Sequence, residues 1–271
     1  MNDHPGNPVE RDSSLYSVPM RQADRLSEIL EDLADGGSVS VTELCRRLGV
    51  SAATIRRDLG LLEENHLLRR THGGAVTQGL LYELPLRYKS ARHQEEKRRI
   101  AQAAAELVPE GAAIGLTGGT TTTEVARALI SLEQLTIVTN ALNIASELAV
   151  RPNLRLVVTG GVARSASYEL VGPLAEASLN ELNLDMAILG VDGISAEAGL
   201  TTHHEVEAHT NLALMDRARR VIVVTDGSKI GQAAFARICG IERVHDLITD
   251  AGAPADALTR IADAGVAITT A

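Results

Sequence analysis

With 271 residues, 45% of them hydrophobic and 23% charged, the chain is too apolar for a disordered protein and predicts one large domain or two smaller ones. One Phe, four Tyr and no Trp leave little to stack nucleobases, which argues against a reader of single-stranded nucleic acid. The formal net charge of −9 would argue against any nucleic-acid partner if it were spread evenly, but residues 46–72 carry six Arg against three acidic residues.

The ends and the cysteines of the chain indicate its compartment. Residues 1–20 are polar and repeat no apolar residue at a helix or strand period, which predicts a disordered tail rather than a signal peptide. No apolar run approaches the ~18 residues of a membrane span. Cys45 and Cys239 lie far apart and form no CxxC pair, so we expect neither a disulfide framework nor a zinc site. These features predict a cytoplasmic protein with no membrane partner.

Residues 21–77 predict three short helices followed by a hairpin. Each helix repeats apolar residues at helical spacing. Ser40 and Ser51 have the capping positions of the second and third helices, and Gly49 supplies a left-handed exit from the second. Apolar and basic residues then lead into a His-Gly-Gly turn, which predicts a small hairpin over residues 67–74. This order of elements predicts a winged helix-turn-helix domain.

The third helix has one apolar face and one basic face. With about 100° of turn per residue, Ile55 and Leu59 lie on the buried stripe while Arg56 and Arg57 lie opposite, beside the small Gly60. Such a face fits the major groove of double-stranded DNA, where Arg binds guanine or phosphate. The residues predicted to contact DNA are Ser51, Ala53, Thr54, Arg56, Arg57, Arg70, Thr71 and His72.

The rest of the chain predicts a linker and an α/β domain. Residues 78–94 contain Gly, Pro and mixed charge, as expected of a linker. In residues 95–271, short β-rich runs alternate with helical stretches, which predicts a mainly parallel, Rossmann-like sheet covered by helices. The predicted strands span residues 112–116, 136–139, 154–159, 185–189, 221–225, 246–249 and 266–269.

Glycine and small polar residues follow five of these strands. In a parallel sheet such turns share one rim, which is the usual ligand site. The turn after the first strand offers backbone amides and threonine hydroxyls at a helix start, which suit a phosphate group. Lys229 adds a positive charge, and Asp192 and Asn140 suit sugar hydroxyls. The residues predicted to bind an effector are Gly118, Gly119, Thr120, Thr121, Thr122, Asn140, Gly161, Asp192, Glu205 and Lys229.

The same residues carry a family resemblance. The stretch VTELCRRLGVSAATIRRDLGLLEENHLLRRTHGGAV resembles the DNA-binding domain of the DeoR family of bacterial transcriptional repressors, and ELVGP, GVDGI and GLTT resemble that family's sensor domain. The resemblance spans about residues 21–250. It implies a repressor of carbohydrate catabolism genes that binds an operator as a homo-oligomer, at least a dimer, and is modulated by a phosphorylated sugar. Thr117 stands where most members have Asp.

Two other functions remain open. The sensor domain also resembles pentose-phosphate isomerases, with Asp192, Glu205 and Lys229 near their acid and base positions, so an active isomerase fused to a DNA-binding domain is the alternative. Glu205 equally suits the N-terminus of a helix. A dinucleotide-binding redox sensor lacks its GxGxxG motif, and His204 and His209 are spaced five apart instead of the four of a zinc helix. We therefore predict a regulator without catalytic residues, metal or cofactor.

Overall fold

The computed structural model describes residues 20–77, 85–89 and 92–271. The chain divides into two compact units, Met1–Gln78 and Gly79–Ala271. The tail predicted for residues 1–20 lies outside the described residues except for Met20, and most of the linker predicted for residues 78–94 lies outside them as well. The described part of that linker differs from a plain connector, because residues 86–89 are helical and residue 94 begins the next helix.

The first unit is built as the capping signals predict. Ser40 Oγ accepts a hydrogen bond from the Glu43 amide at 3.1 Å, and Ser51 Oγ accepts one from the Thr54 amide at 3.2 Å. Gly49 ends the second helix with φ of 65°. The elements are α1 (Gln22–Gly36), β1 (Ser38–Ser40), α2 (Val41–Leu48), α3 (Ala52–Glu64), β2 (Leu68–Arg70) and β3 (Gly74–Thr77).

The hairpin of β2 and β3 gains a third strand that the sequence analysis did not predict. The three strands form an antiparallel sheet in the order β1-β3-β2, with Ser40 opposite Gly74. A three-residue strand is too short to show a period-two pattern, so it left no recognisable signal in the sequence.

Gly74 is required where β1 and β3 meet. A Cβ atom at this position would lie 1.8 Å from the Val39 carbonyl oxygen, whereas one at Gly73 would have no atom within 4 Å. We expect Gly74→Ala to destabilise the first unit by about 1–3 kcal/mol, the usual cost of overpacking, and Gly73→Ala to change its stability by less than about 0.5 kcal/mol. Urea unfolding of the two variants measures this difference, and equal stabilities would contradict the role given to Gly74.

The second unit contains a seven-stranded sheet in which every strand pair is parallel. Its order is β15-β14-β12-β9-β4-β5-β6. All seven strands coincide with the predicted runs to within a few residues. The strands are β4 (Ala113–Leu116), β5 (Thr136–Thr139), β6 (Arg155–Val158), β9 (Leu184–Leu189), β12 (Ala218–Val224), β14 (Asp246–Thr249) and β15 (Ala267–Thr270).

Helices cover both faces of this sheet, because alternate strand residues point to opposite sides. Ile222 and Val224 belong to a core with α5, α6 and α7, while Val221 and Val223 belong to a second core with α8, α9 and α10. The helices are α4 (Leu86–Lys89), α5 (Gln94–Glu106), α6 (Thr120–Ala128), α7 (Leu142–Leu148), α8 (Pro173–Asn180), α9 (Glu205–Met215) and α10 (Ala255–Asp263).

Two small sheets complete the second unit, and neither was predicted. A three-stranded antiparallel sheet has the order β10-β11-β13, and β7 pairs with β8. Within the described residues no helix has the length and apolarity to cross a membrane. The small strands are β7 (Val162–Ala163), β8 (Leu170–Val171), β10 (Gly193–Ser195), β11 (Gly199–Thr202) and β13 (Ala236–Cys239).

Candidate functional site

The exposed face of α3 carries two basic side chains beside a small residue. Ile55 and Leu59 are buried, whereas Arg56 and Arg57 are exposed together with the small Ala53. Among the described residues neither arginine has an ion-pair or hydrogen-bond partner. Both guanidinium groups are therefore available to a ligand, and no large side chain keeps the helix away from a flat or grooved surface.

The hairpin turn adds a second basic group beside α3. Arg70, Thr71 and His72 are exposed. Arg70 lies against the helix, since a Cβ atom on Gly60 would be 3.8 Å from its guanidinium, and the Arg70 amide donates to Glu63 Oε1 at 2.9 Å. The predicted DNA contacts of helix and hairpin are thus on neighbouring surfaces of the same unit.

A buried ion pair fixes α3 against α1. Asp58 is fully buried and accepts hydrogen bonds from Arg25 Nε at 2.5 Å and from a terminal guanidinium nitrogen of Arg25 at 3.1 Å. Gln22 Nε2 donates to the same carboxylate at 3.1 Å. Because Asp58 directly follows Arg56 and Arg57, this contact positions the part of α3 that carries the exposed arginines.

The second unit has its main pocket at the carboxyl ends of β4, β9 and β12. The chain proceeds from β4 to β5 and β6 on one side and then returns to β9 on the other, so β4 and β9 flank the topological switch point. The pocket encloses about 650 Å³ when its open mouth is included. Its lining residues are Leu86, Lys89, Gly118, Gly119, Thr120, Thr121, Ala166, Ser167, Glu169, Gly190, Val191, Asp192, Thr202, Glu207, Asn211, Val224, Thr225, Asp226 and Lys229.

One end of the pocket is suited to an anion. Helix α6 begins directly after Gly119, and the first amide that donates within the helix is that of Thr123, to the Gly119 carbonyl at 3.1 Å. The amides of Thr120 and Thr121 precede it and carry the positive end of the helix dipole. Lys229 lines the same pocket and supplies a full positive charge.

Two further residues that line the pocket, Glu169 and Glu207, carry buried carboxyl groups. Glu169 Oε1 accepts the Gly118 amide at 2.8 Å, and Glu207 is ion-paired with Arg164 and accepts the Thr202 hydroxyl at 3.2 Å. Burial and the neighbouring Glu207 raise the pKa of Glu169 well above its ordinary value.

Asp192 is an ionised acid of the pocket. Lys89 Nζ lies 3.2 Å from its Oδ1, and His203 Nε2 lies 3.6 Å from the same atom. Burial alone would raise the pKa of Asp192, but Lys89, His203 and Lys229 outweigh burial and lower it. Asp192 thus stays charged and acts as a hydrogen-bond acceptor in the pocket.

A buried lysine holds the chain segment that carries Lys89. Lys97 Nζ donates to the carbonyl oxygens of Arg92 at 2.5 Å and of Lys89 at 3.2 Å. Burial lowers the pKa of Lys97 to about 8, although nearby Asp226 opposes the shift. Lys97 therefore ties the residues on both sides of positions 90–91 to helix α5.

Six of the ten residues predicted to bind an effector line this pocket, and four do not. Glu205 is 61% exposed and approaches His204, and the Thr122 hydroxyl donates to the Gly119 carbonyl. Asn140 lies behind the pocket, where its Nδ2 is 3.4 Å from Glu169 Oε1, and Gly161 packs against β8. Asn140 follows β5 and Gly161 follows β6. Both turns lie at the same edge of the sheet as the pocket, but β5 and β6 are on the other side of the switch point from β9 and β12.

Two family models match the chain, one for each unit. The DeoR-like helix-turn-helix domain matches residues 25–78, and the DeoR C terminal sensor domain matches residues 92–251. The chain belongs to the DeoR family. The match assigns the exposed face of α3 to the DNA-binding domain and the switch-point pocket to the sensor domain of a DeoR regulator.

Named relatives align with nearly the whole chain. The glycerol-3-phosphate regulon repressor of Escherichia coli (strain K12) is 36% identical over 244 residues, which cover 90% of this chain and 97% of that protein. The HTH-type transcriptional regulator GlpR of Haloferax volcanii is 38% identical, with coverages of 92% and 98%. The transcriptional repressor AccR of Agrobacterium fabrum is 35% identical, with coverages of 84% and 90%. This DeoR-family chain is a DNA-binding transcriptional regulator.

Similarities to solved structures are weaker. Ribose 5-phosphate isomerase A of Methanocaldococcus jannaschii matches with a TM-score of 0.38 and 21% identity over 51% of this chain and 54% of that one. The sorbitol operon regulator SorC of Klebsiella pneumoniae matches with a TM-score of 0.33 and 14% identity over 78% and 90%.

The pocket also contains residues that the sequence analysis missed. Glu207 and Asn211 occupy the buried stripe of α9, four positions apart, together with Leu214. Lys97 likewise precedes Ile100 by three positions on the buried stripe of α5. A polar residue at a stripe position is the signal that identifies such groups before the structure is known.

Proposed function

We propose that this DeoR regulator is a repressor of carbohydrate catabolism genes whose operator binding is modulated by a phosphorylated sugar. Arg56 and Arg57 of α3 read base edges, Ser51, Ala53 and Thr54 support the helix start, and the hairpin residues Arg70, Thr71 and His72 contact the flanking backbone. The effector occupies the switch-point pocket. The glycerol-3-phosphate regulon repressor of Escherichia coli, a relative of this chain, supports the proposed ligand class by its name.

The observation that carries the proposal is the anion end of the pocket. The amides of Thr120 and Thr121 begin a nine-residue helix, and Lys229 lines the same cavity. A phosphate gains charge-assisted hydrogen bonds from these groups, which a neutral sugar does not. Gly118 does not take part through its amide, because that amide donates to Glu169. The described residues that line the pocket include no aromatic ring of the kind that commonly binds a neutral sugar.

We propose that the regulator binds its operator as a homo-oligomer, at least a dimer. A single short helix reaches few base pairs, and two linked half-sites raise affinity through effective concentration. A ligand that favours one arrangement of the two sensor domains changes how well both α3 helices fit their half-sites, because it shifts the equilibrium by its differential affinity.

Thermal unfolding of the full-length protein tests the ligand class. Glucose 6-phosphate, ribose 5-phosphate, glycerol 3-phosphate and glucosamine 6-phosphate are compared with their unphosphorylated counterparts and with inorganic phosphate. We expect a stabilising ligand at 100 times its dissociation constant to add about 2.7 kcal/mol, and the free sugars to add nothing measurable. Lys229→Ala is expected to abolish most of the gain, while Arg219→Ala, an exposed charge outside the pocket, keeps it.

Two results would contradict the proposal. Stabilisation by a free sugar that is indifferent to Lys229→Ala would remove the phosphate argument. Formation of a ketose from ribose 5-phosphate at roughly 1 per second or more would favour the isomerase alternative. Against that alternative, Glu205, the base suggested by the isomerase resemblance, is exposed and outside the pocket. We infer that the pocket binds its ligand without converting it.

A further inference from the structure

Two buried polar side chains that line the switch-point pocket have no hydrogen-bond partner among the described residues. Ser167 is 9% exposed, and its Oγ neither donates nor accepts a hydrogen bond. Asn211 is 4% exposed, and its Oδ1 accepts none. Both residues belong to the lining of the pocket. A buried polar group without a partner costs free energy, so each side chain requires a partner, and the pocket is where one can enter.

The two side chains come from different segments of the chain that are tied to each other. Ser167 lies in the loop between β7 and β8, and Asn211 lies on α9, one helical turn after Glu207. The Tyr168 amide donates to the Arg164 carbonyl at 2.8 Å, which closes the loop around Ser167. Arg164 also forms an ion pair with Glu207. This ion pair holds the loop that carries Ser167 to the helix that carries Asn211.

The chemistry of the two groups defines what they can bind. A carboxamide oxygen only accepts hydrogen bonds and its nitrogen only donates them, while a serine hydroxyl does both. An ionised carboxylate on a ligand only accepts, so it leaves Asn211 Oδ1 without a donor. An alcohol hydroxyl donates one hydrogen and accepts others, so it satisfies either side chain.

The cations of the pocket are already committed to other groups. The described lining contains two lysines. Lys89 is paired with Asp192 at 3.2 Å, and Lys229 is the charge proposed to bind the phosphate. Arg164 of the loop between β7 and β8 is ion-paired with Glu207. A carboxylate on the sugar would therefore enter without a free cation, which is costly in a buried site, whereas a neutral hydroxyl needs none.

We propose that Ser167 and Asn211 bind hydroxyl groups on the carbon chain of the effector, and we call the two residues the hydroxyl subsite. The inference rests on the proposed function, which supplies the phosphate end of the same ligand. The ligand class is a phosphorylated sugar or polyol that keeps its hydroxyls, and it excludes deoxy sugar phosphates and phosphorylated sugar acids. Specificity arises because a ligand without the hydroxyl leaves the two side chains unpaired.

Isothermal titration calorimetry of the full-length protein tests the ligand side of the proposal. Ribose 5-phosphate is compared with 2-deoxyribose 5-phosphate, glucose 6-phosphate with 2-deoxyglucose 6-phosphate and 6-phosphogluconate, and glycerol 3-phosphate with 3-phosphoglycerate. Inorganic phosphate is titrated alone. In the series whose parent compound binds most tightly, we expect the parent to bind roughly tenfold tighter than its deoxy or carboxylate derivative.

Two variants locate the effect. Asn211→Leu removes a donor and an acceptor at nearly constant shape, and Ser167→Ala removes the hydroxyl. We expect each to weaken binding of the tightest parent roughly fivefold or more, to lower the ratio of parent to derivative affinity, and to leave the affinity for inorganic phosphate unchanged. The controls Ser165→Ala and His209→Leu, at exposed positions of the same loop and helix outside the pocket lining, keep the wild-type ratio.

The stability of the free protein distinguishes a ligand-binding role of Asn211 from a structural one. Because Asn211 Oδ1 accepts no hydrogen bond, Asn211→Leu removes an unsatisfied group. We expect the midpoint of thermal unfolding without ligand to stay unchanged or to rise. A structural role predicts a lower midpoint together with weaker binding of every compound, inorganic phosphate included. Asn211→Ala replaces Asn211→Leu if the leucine variant does not fold.

The outcomes separate the hydroxyl subsite from the phosphate site. Equal wild-type affinities for parent and derivatives, or wild-type affinity of both Ser167→Ala and Asn211→Leu for the parent, would overturn the hydroxyl subsite and leave the phosphate site standing. A lower midpoint with uniform loss of binding would overturn the role of Asn211 as well. Failure of every phosphorylated compound to bind would instead contradict the proposed function and the hydroxyl subsite with it.

Discussion

Asp58→Ala is expected to destabilise the DNA-binding unit by about 3–5 kcal/mol, because it leaves the Arg25 guanidinium buried without its charge partner. The Asp58 carboxylate is 0% exposed and the Arg25 side chain 9% exposed. Gln22 loses its acceptor as well. Since small domains have only about 5–15 kcal/mol of stability in total, α1 and α3 should separate in a measurable fraction of molecules. Hydrogen exchange of peptides from α1 and α3 detects that opening directly.

The control for Asp58→Ala is an exposed ion pair in the same unit. A guanidinium nitrogen of Arg46 lies 2.5 Å from Glu43 Oε1, but the side chains of Glu43 and Arg46 are 58% and 76% exposed. Glu43→Ala should therefore change stability by less than about 1 kcal/mol. The double variant Arg25→Met with Asp58→Leu removes both charges and should recover most of the loss. Equal stabilities of the Asp58→Ala and Glu43→Ala variants would contradict the claim that the Arg25–Asp58 ion pair fixes α3 against α1.

Arg56→Ala and Arg57→Ala are each expected to weaken operator binding by about 1–3 kcal/mol if the side chain reads a guanine. The double variant should then lose roughly thirtyfold or more in affinity. Folding is spared because both side chains are exposed. The measurement uses a duplex that the wild-type protein selects from a random pool, at one fixed salt concentration.

Salt dependence separates base reading from phosphate contact. If an arginine touches only phosphate, its loss weakens binding to all sequences and makes the salt dependence shallower. Arg219→Ala, 84% exposed in the second unit, is the control for a generic loss of positive charge. Unchanged binding by the Arg56 and Arg57 double variant would contradict the assignment of α3 as the recognition helix.

Local signals predicted most of the fold. Ser40, Ser51 and Gly49 mark helix ends through their own chemistry, and the structure confirms all three. The seven strands of the main sheet were recognisable because buried parallel strands are short, apolar runs separated by helices. Strand β1 and the small sheet of β10, β11 and β13 were missed, since pairing of three- and four-residue strands depends on tertiary contacts that leave no local pattern.

The effector pocket was predicted only in part. Parallel topology correctly directed attention to the rim, and Thr120, Asp192 and Lys229 line the pocket there. Glu169 was missed because it lies next to the short strand β8, away from the ends of the main strands. Glu207 comes from the first turn of α9, where it begins the buried stripe of that helix. Tertiary packing brings such residues to the pocket from distant segments of the chain. The spacing of apolar residues in the sequence does not predict these contacts.

Control of operator binding by the pocket is tested most directly in a measurement that involves both units. The affinity of the full-length protein for its selected duplex is determined by fluorescence anisotropy with and without the sugar phosphate that stabilises it most. We expect the ligand to change the dissociation constant of the wild-type complex by roughly 5–150-fold and that of the Lys229→Ala complex by far less at the same concentration. A ligand that stabilises the protein while leaving the DNA affinity of the wild type unchanged would contradict the claim that the pocket controls operator binding.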